Sequence, residues 1–177
     1  MAAIGLEVGP PLFASIDIER PAGAVWEAIS TAGYLKRCHP FCDSTEVESW
    51  PGPGSKDSIT YFSGIRYQRH FVAWEEGIGY DIELGLRPNL TARVLWRVES
   101  LPDRNTRFSI EVFPLIRGDM ETGKKQRYQE RLFGPVLAHY LDCVMQGVKH
   151  FVITGIPVTA NQFGPNPLYS AAEAGAD

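Results

Sequence analysis

Between residues 13 and 113 apolar and polar side chains alternate in short runs, and from residue 128 to 152 the spacing changes to threes and fours. Alternation is the period of a strand with one buried face, and the three-and-four spacing is that of an amphipathic helix. The first run, FASIDIE at 13–19, puts Ala14, Ile16 and Ile18 on one face in the better of its two readings. Pro21 suits a first helical turn and opens the short helix PAGAVWEAIS, with Val25, Trp26 and Ile29 on one side. Thr31 caps a second short helix, TAGYLKR, which stops before Pro40. Six more strand segments follow, at 45–50, 58–62, 65–74, 80–86, 92–100 and 106–113. The links PGPGSKD, SG, EEGIG, RPN and PDRN are short and rich in turn residues, which predicts an antiparallel meander.

The long helix predicted over 124–154 carries Leu132, Phe133, Val136, Leu137, Tyr140, Leu141, Val144, Val148, Phe151 and Val152 on a stripe wider than a coiled-coil seam. Gly134 and Pro135 interrupt it, and since Pro135 lacks an N–H the helix should kink or restart there. From residue 135 to 154 it is still about 30 Å long, enough to cross a small domain. Gly155 stands at the C-terminal cap position, with Pro157 blocking continuation. The fold class is α+β: a curved antiparallel sheet of about seven strands wrapped around one long C-terminal helix, with two short helices after the first strand. One helix facing one large sheet encloses a cavity.

Alternation assigns an inner face of Ile59 and Tyr61, then Tyr67, Arg69, Phe71 and Ala73, then Tyr80, Ile82 and Leu84, then Ala92, Val94, Trp96 and Val98, then Phe108, Ile110 and Val112. In 65–74 the alternation is weak, and a one-residue slip would exchange Arg69 for His70. The plainer reading leaves both on solvent-facing parts of the strand. An inward Arg69 would need a carboxylate such as Glu130, or an anionic ligand group.

The 177 residues, 44% hydrophobic and 21% charged, fit a single globular domain with a substantial core. We divide the chain into an N-terminal arm at 1–11, the domain at 12–155 and a C-terminal extension at 156–177. Phe163, Leu168 and Tyr169 suggest that the extension docks on the domain or on a partner, with a mobile acidic end. A net charge of -4 with interspersed signs gives no footprint for nucleic acid. The beginning of the chain reads as neither a secretory signal nor an anchor, and no long apolar run predicts membrane insertion. Three cysteines do not form a disulfide framework and fit a reducing, cytoplasmic setting. A homodimer is neither required nor opposed.

The order of elements, together with FASIDIERPAGAVWEAIS, WPGPGSKDSITY, FVAWEEGIGYDIELG and YLDCVMQGVKHFVITG, resembles the START-like (SRPBCC) superfamily of polyketide cyclase/dehydratase-like and lipid-transport proteins. The resemblance covers about residues 12 to 155. It implies a helix-grip fold and a cavity for hydrophobic or amphipathic small molecules, with enzymes a minority of such domains. None of these segments is a catalytic signature.

Cys38, His39 and Cys42 lack the spacing of a structural zinc site, and Cys143 is isolated, so no metal is expected and the thiols are assigned to packing. His39 is a candidate for the cavity mouth. No nucleophile elbow or phosphate-cradling loop is present, and no cofactor is implied. Catalytic residues are not identifiable. The candidate ligand-binding residues are Tyr61, Tyr67, Arg69, Tyr80, Trp96, Phe108, Phe133, Val136, Tyr140 and Val144. Their aromatic members suit a pocket for an apolar molecule with a few oxygens, or equally a filled core. The leading function is binding or carrying a hydrophobic small molecule. One alternative is a cyclase- or dehydratase-like enzyme on a poly-oxo or aromatic substrate, with His70 or His39 as base and Arg69 or Tyr67 holding an enolate. Another is a protein-interaction module with a closed cavity.

Overall fold

The structure of the protein, a computed structural model, describes residues 5–172, apart from the side chains of Leu132 and Phe133. Among these the order is β1 (Leu6–Val8), β2 (Leu12–Ile18), α1 (Ala22–Ser30), α2 (Leu35–Cys38), β3 (Cys42–Ser49), β4 (Lys56–Tyr61), β5 (Arg66–Glu75), β6 (Gly79–Leu86), β7 (Asn89–Ser100) and β8 (Thr106–Arg117). Then come α3 (Thr122–Tyr128), a π-helical stretch (Gln129–Leu137) and α4 (Ala138–Thr154). The eight described strands form one antiparallel sheet, in which β3 to β8 follow sequence order as a meander.

The eighth strand lies in the 1–11 segment. β1 and β2 share one lane along β8, with Val8 opposite Leu115 and Leu12 opposite Val112. Pro10 and Pro11 break the lane because neither has an N–H to give the ladder. Gly9 donates its N–H to the Pro114 carbonyl at 2.8 Å, so Pro114 faces this break, where its own missing N–H is tolerated. That is why β8 continues past Pro114 to Arg117 and outruns the predicted end at 113.

Inward residues follow the expected face with one exception. A bulge between Phe71 and Ala73 shifts the register of β5 against β6, which turns Ala73 outward and brings Trp74 in. Trp74 then packs against Trp26, Trp50 and Tyr80, with ring centroids 5.5, 5.1 and 5.3 Å away. In β2, Ala14, Ile16 and Ile18 face the core, and Phe13 is left 65% exposed.

The long helix does not restart at Gly134 and Pro135, since helical backbone runs unbroken from Thr122 to Thr154. It passes through them in π-helical form, and the Ala138 N–H reaches the Gly134 and Pro135 carbonyls. A π turn shifts the acceptor by one residue, which lets the helical hydrogen bonding run on past a proline. Gly155, at φ 70°, ends the helix in the left-handed conformation and returns its N–H to the Phe151 carbonyl at 2.8 Å.

Cys143, Met145 and Gly147 of α4 are buried beside the expected stripe, because a second flank of the helix is also covered. Cys143 donates to the Phe163 carbonyl at 3.4 Å, and Gly147 passes over α2. A Cβ at Gly147 would stand 2.2 Å from the Cys38 carbonyl oxygen. Segment 156–172 folds back on the domain, with Val158 N–H on the Arg37 carbonyl at 2.9 Å and Asn161 N–H on the Pro40 carbonyl at 3.0 Å. The expected mobile end concerns residues 173–177, outside the described part.

Gly147→Ala should therefore lower the unfolding free energy by about 1–3 kcal/mol, the range for overpacking a tight core, as read from urea denaturation. A change within experimental error would mean that α4 and α2 separate without cost.

Candidate functional site

The concave face of the sheet is filled unevenly. Around α1, Trp26, Trp50, Trp74, Tyr80 and Trp96 interlock, with ring centroids 5.1 to 5.8 Å apart. Toward the other end, shorter side chains meet α4 across a cavity of about 150 Å³. Its sheet wall includes Ile59, Ile82, Ala92, Val94, Ile110 and Val112, and its helix wall Leu137, Leu141 and Val144. A dry apolar cavity of about 150 Å³ holds a guest about the size of one aromatic ring.

Of the candidate ligand-binding residues, Tyr61, Tyr67, Arg69, Trp96, Tyr140 and Val144 line this space. Tyr80 and Phe108 do not. Tyr80 is 1% exposed between Trp74 and Trp96, and Phe108 is covered by Trp96 at 5.3 Å. The indole rings occupy the room that would have let those two reach a ligand. Val136 is also off the wall, with Leu137 in its place, and its carbonyl accepts from Asn166 Nδ2 at 2.9 Å. The side chain of Phe133 is outside the described part.

Arg69 points inward, against the solvent-facing reading, and is 4% exposed. Its partner is Asp57 rather than Glu130: Nε donates to Oδ1 at 2.7 Å and Nη2 to Oδ2 at 2.6 Å, the two-pronged geometry favoured by guanidinium and carboxylate. Nη1 donates to the Tyr34 hydroxyl at 3.0 Å. Glu130 is instead exposed and accepts from Gln126 at 2.9 Å. Asp57 was legible in principle, since it shares the two-residue period of Ile59 and Tyr61. His70 lies on the outer face, opposite Lys56 and Glu83, so it is not a base within the cavity.

His39 follows α2 and enters the cavity wall, 4% exposed. The Phe41 N–H donates to its Nδ1 at 3.2 Å. A backbone N–H can only donate, so Nδ1 is unprotonated and the imidazole proton is assigned to Nε2. Nε2 then donates to the Tyr140 hydroxyl at 2.9 Å, and the Tyr140 and Tyr61 hydroxyls lie 2.9 Å apart. Burial, and then the positive charge of Arg69, push the His39 pKa down to about 3, so the ring is neutral at ordinary pH.

The extension contributes to the site. Tyr169 and Leu168 line the cavity, and the Tyr169 ring lies 4.3 Å from Tyr61 and 4.5 Å from Tyr140. Its carbonyl accepts from Ser63 N–H at 3.2 Å. Buried Asn166 fixes the turn by accepting from Leu168 N–H at 3.0 Å while bonding Val136. Sequence periodicity could not find these residues, which lie in a segment without regular structure. Among the described residues no cluster of three or more His, Cys, Asp or Glu could hold a metal, and Cys38 donates to the Tyr34 carbonyl at 3.3 Å. No described helix is long and apolar enough to cross a membrane.

A curved antiparallel sheet gripping one long helix around an apolar cavity defines a helix-grip protein. The family model for polyketide cyclase/dehydrase and lipid transport proteins matches residues 13–139, more than half of the chain, and the chain belongs to that family. No curated protein matches it. Among solved structures, the protein of unknown function SA2116 from Staphylococcus aureus is similar, with a TM-score of 0.66 at 11% identity over 82% of this chain and 96% of that one. Bacillus halodurans BH1534 gives 0.58 at 17% identity over 82% and 98%. Ara h 8.0201 gives 0.56 at 14% identity over 85% and 99%. At such identities the likeness is one of fold alone.

Two outcomes follow from the buried polar groups. Asp57→Ala leaves an unpaired buried guanidinium and should cost about 3–5 kcal/mol in chemical denaturation, whereas a cost below about 1 kcal/mol would show that Arg69 escapes to solvent. His39 has a folded pKa near 3 against 6.5 for a free imidazole, so between those values the unfolded chain binds the extra proton. Stability should be at its full value above about pH 6.5 and fall as pH drops toward 3, by up to about 1.4 kcal/mol per pH unit from this group. Denaturation curves of wild type and His39→Gln across that window should diverge by this slope; parallel pH profiles would refute the assignment.

Proposed function

We propose that the protein binds, and carries or shelters, a small hydrophobic or amphipathic molecule in the cavity between sheet and long helix. The observation that carries this reading is the uneven filling of the interior: one half is packed with indoles, while the other keeps an apolar space bordered by a few hydroxyls. The family description, with its lipid-transport members, agrees with it. Tyr61, Tyr67, Arg69, Trp96, Tyr140 and Val144 are the proposed ligand contacts, joined by His39, Leu168 and Tyr169. Its three free cysteines accord with a reducing, cytoplasmic setting.

The cyclase-like alternative has less support. It needs a base in the cavity, but His70 is on the outer face, and both nitrogens of His39 are engaged by Phe41 and Tyr140. A closed interaction module is disfavoured because the extension spends Leu168 and Tyr169 on the cavity itself.

Native mass spectrometry of freshly purified protein should reveal an extra mass that is released on unfolding. Val144→Phe should fill the space and weaken binding of an apolar fluorophore about tenfold or more, with circular dichroism unchanged. A bare polypeptide mass together with a fluorophore that ignores Val144→Phe would sink the proposal.

A further inference from the structure

Two tyrosine pairs in this interior end differently. In the packed half, Arg69 Nη1 donates to the Tyr34 hydroxyl at 3.0 Å, the Tyr34 and Tyr80 hydroxyls are bonded to each other at 2.9 Å, and Tyr80 donates to the Ile29 carbonyl at 3.1 Å. Three bonds use three protons, and the run ends on a carbonyl. At the cavity the run starts from His39, whose single ring proton is on Nε2 because Phe41 N–H occupies Nδ1. His39, Tyr140 and Tyr61 together hold three such protons but share only two bonds, each of 2.9 Å. Whichever phenol donates to the other, one phenolic proton has no acceptor among the described residues. Both phenols line the cavity.

We propose that this surplus proton is a recognition element, and that the cavity takes a neutral, ring-sized apolar molecule whose carbonyl oxygen accepts from the Tyr61–Tyr140 pair. The inference rests on the binding reading above and adds the chemistry of the ligand. A carbonyl suits the site because it accepts without bringing a proton of its own. An alcohol would bring a proton of its own that also needs an acceptor, whereas a carbonyl takes up the surplus proton and leaves none over, and an unmet buried donor costs affinity. A carboxylate would bury a negative charge beside an Arg69 that Asp57 has already neutralised, which is costlier still.

Acetophenone and α-methylstyrene have nearly the same shape and differ in carrying C=O or C=CH₂. Calorimetric titration of both into the full chain should show the affinity of acetophenone relative to α-methylstyrene falling about tenfold in Tyr61→Phe/Tyr140→Phe. Retained α-methylstyrene binding would show that the double variant is folded. Independently of any variant, the infrared carbonyl stretch of acetophenone bound to wild type should lie below its position in hexane, and should return toward that position in the double variant. A wild-type stretch at the hexane value overturns the inference while leaving the binding reading intact. So does a ratio and shift unchanged in the double variant, which would make Arg69 the donor. Failure of wild type to bind either probe would remove the binding reading itself, and the inference with it.

Discussion

The ion pair between Arg69 and Asp57 lies on the inner face of the sheet, where β4 and β5 place the two residues directly opposite one another. Both side chains are almost wholly buried, so neither charge has water to fall back on. A slip of one residue between these strands would separate them and leave two uncompensated charges inside, which is a far larger penalty than the loss of a ladder hydrogen bond. The pair therefore pins the register that alternation alone leaves open in β5. Through Tyr34 it also ties the sheet to the start of α2, and through Tyr80 to the end of α1.

With that register set, the interior divides into two regions of different character. Bulky aromatics near α1 fill their half, and the bulge in β5 contributes by delivering Trp74 to the inside. Indole N–H groups there find partners at the rim: Trp26 donates to Glu76 at 2.7 Å and Trp50 to the Ser30 carbonyl at 2.8 Å. Beyond Arg69, valines, isoleucines and an alanine are too short to bridge from sheet to helix, so space remains. The extension then adds Tyr169 to the wall of this space, placing three tyrosine rings around one corner.

That corner has a directional hydrogen-bond network set by one backbone group. The Phe41 N–H dictates the tautomer of His39, and the tautomer dictates that the imidazole donates to Tyr140. Burial suppresses protonation of the ring, so this polarity persists at ordinary pH. A purely apolar cavity would discriminate ligands by size alone; polar groups held in fixed orientation at its wall add chemical selection.

Local periodicity made the fold largely legible: the meander, the two short helices, the Gly155 cap and most of the inner face follow from alternation and turn residues that act over a few neighbours. It failed where distant partners decide. The bulge that exchanges Ala73 for Trp74 answers to aromatic packing against α1 and the loop after β3. Arg69 was the sharpest case, because only the cross-strand approach of Asp57 makes an inward guanidinium tolerable. Likewise Tyr80 and Phe108 share the inner face with Tyr61 and Trp96, yet are sealed off by neighbours from other elements. By itself the sequence determined which faces are apolar and where the chain turns, since these are short-range properties of the backbone and its side chains. Tertiary structure alone decided where the interior is left unfilled and which buried polar groups meet one another, because both depend on distances between groups far apart in the chain.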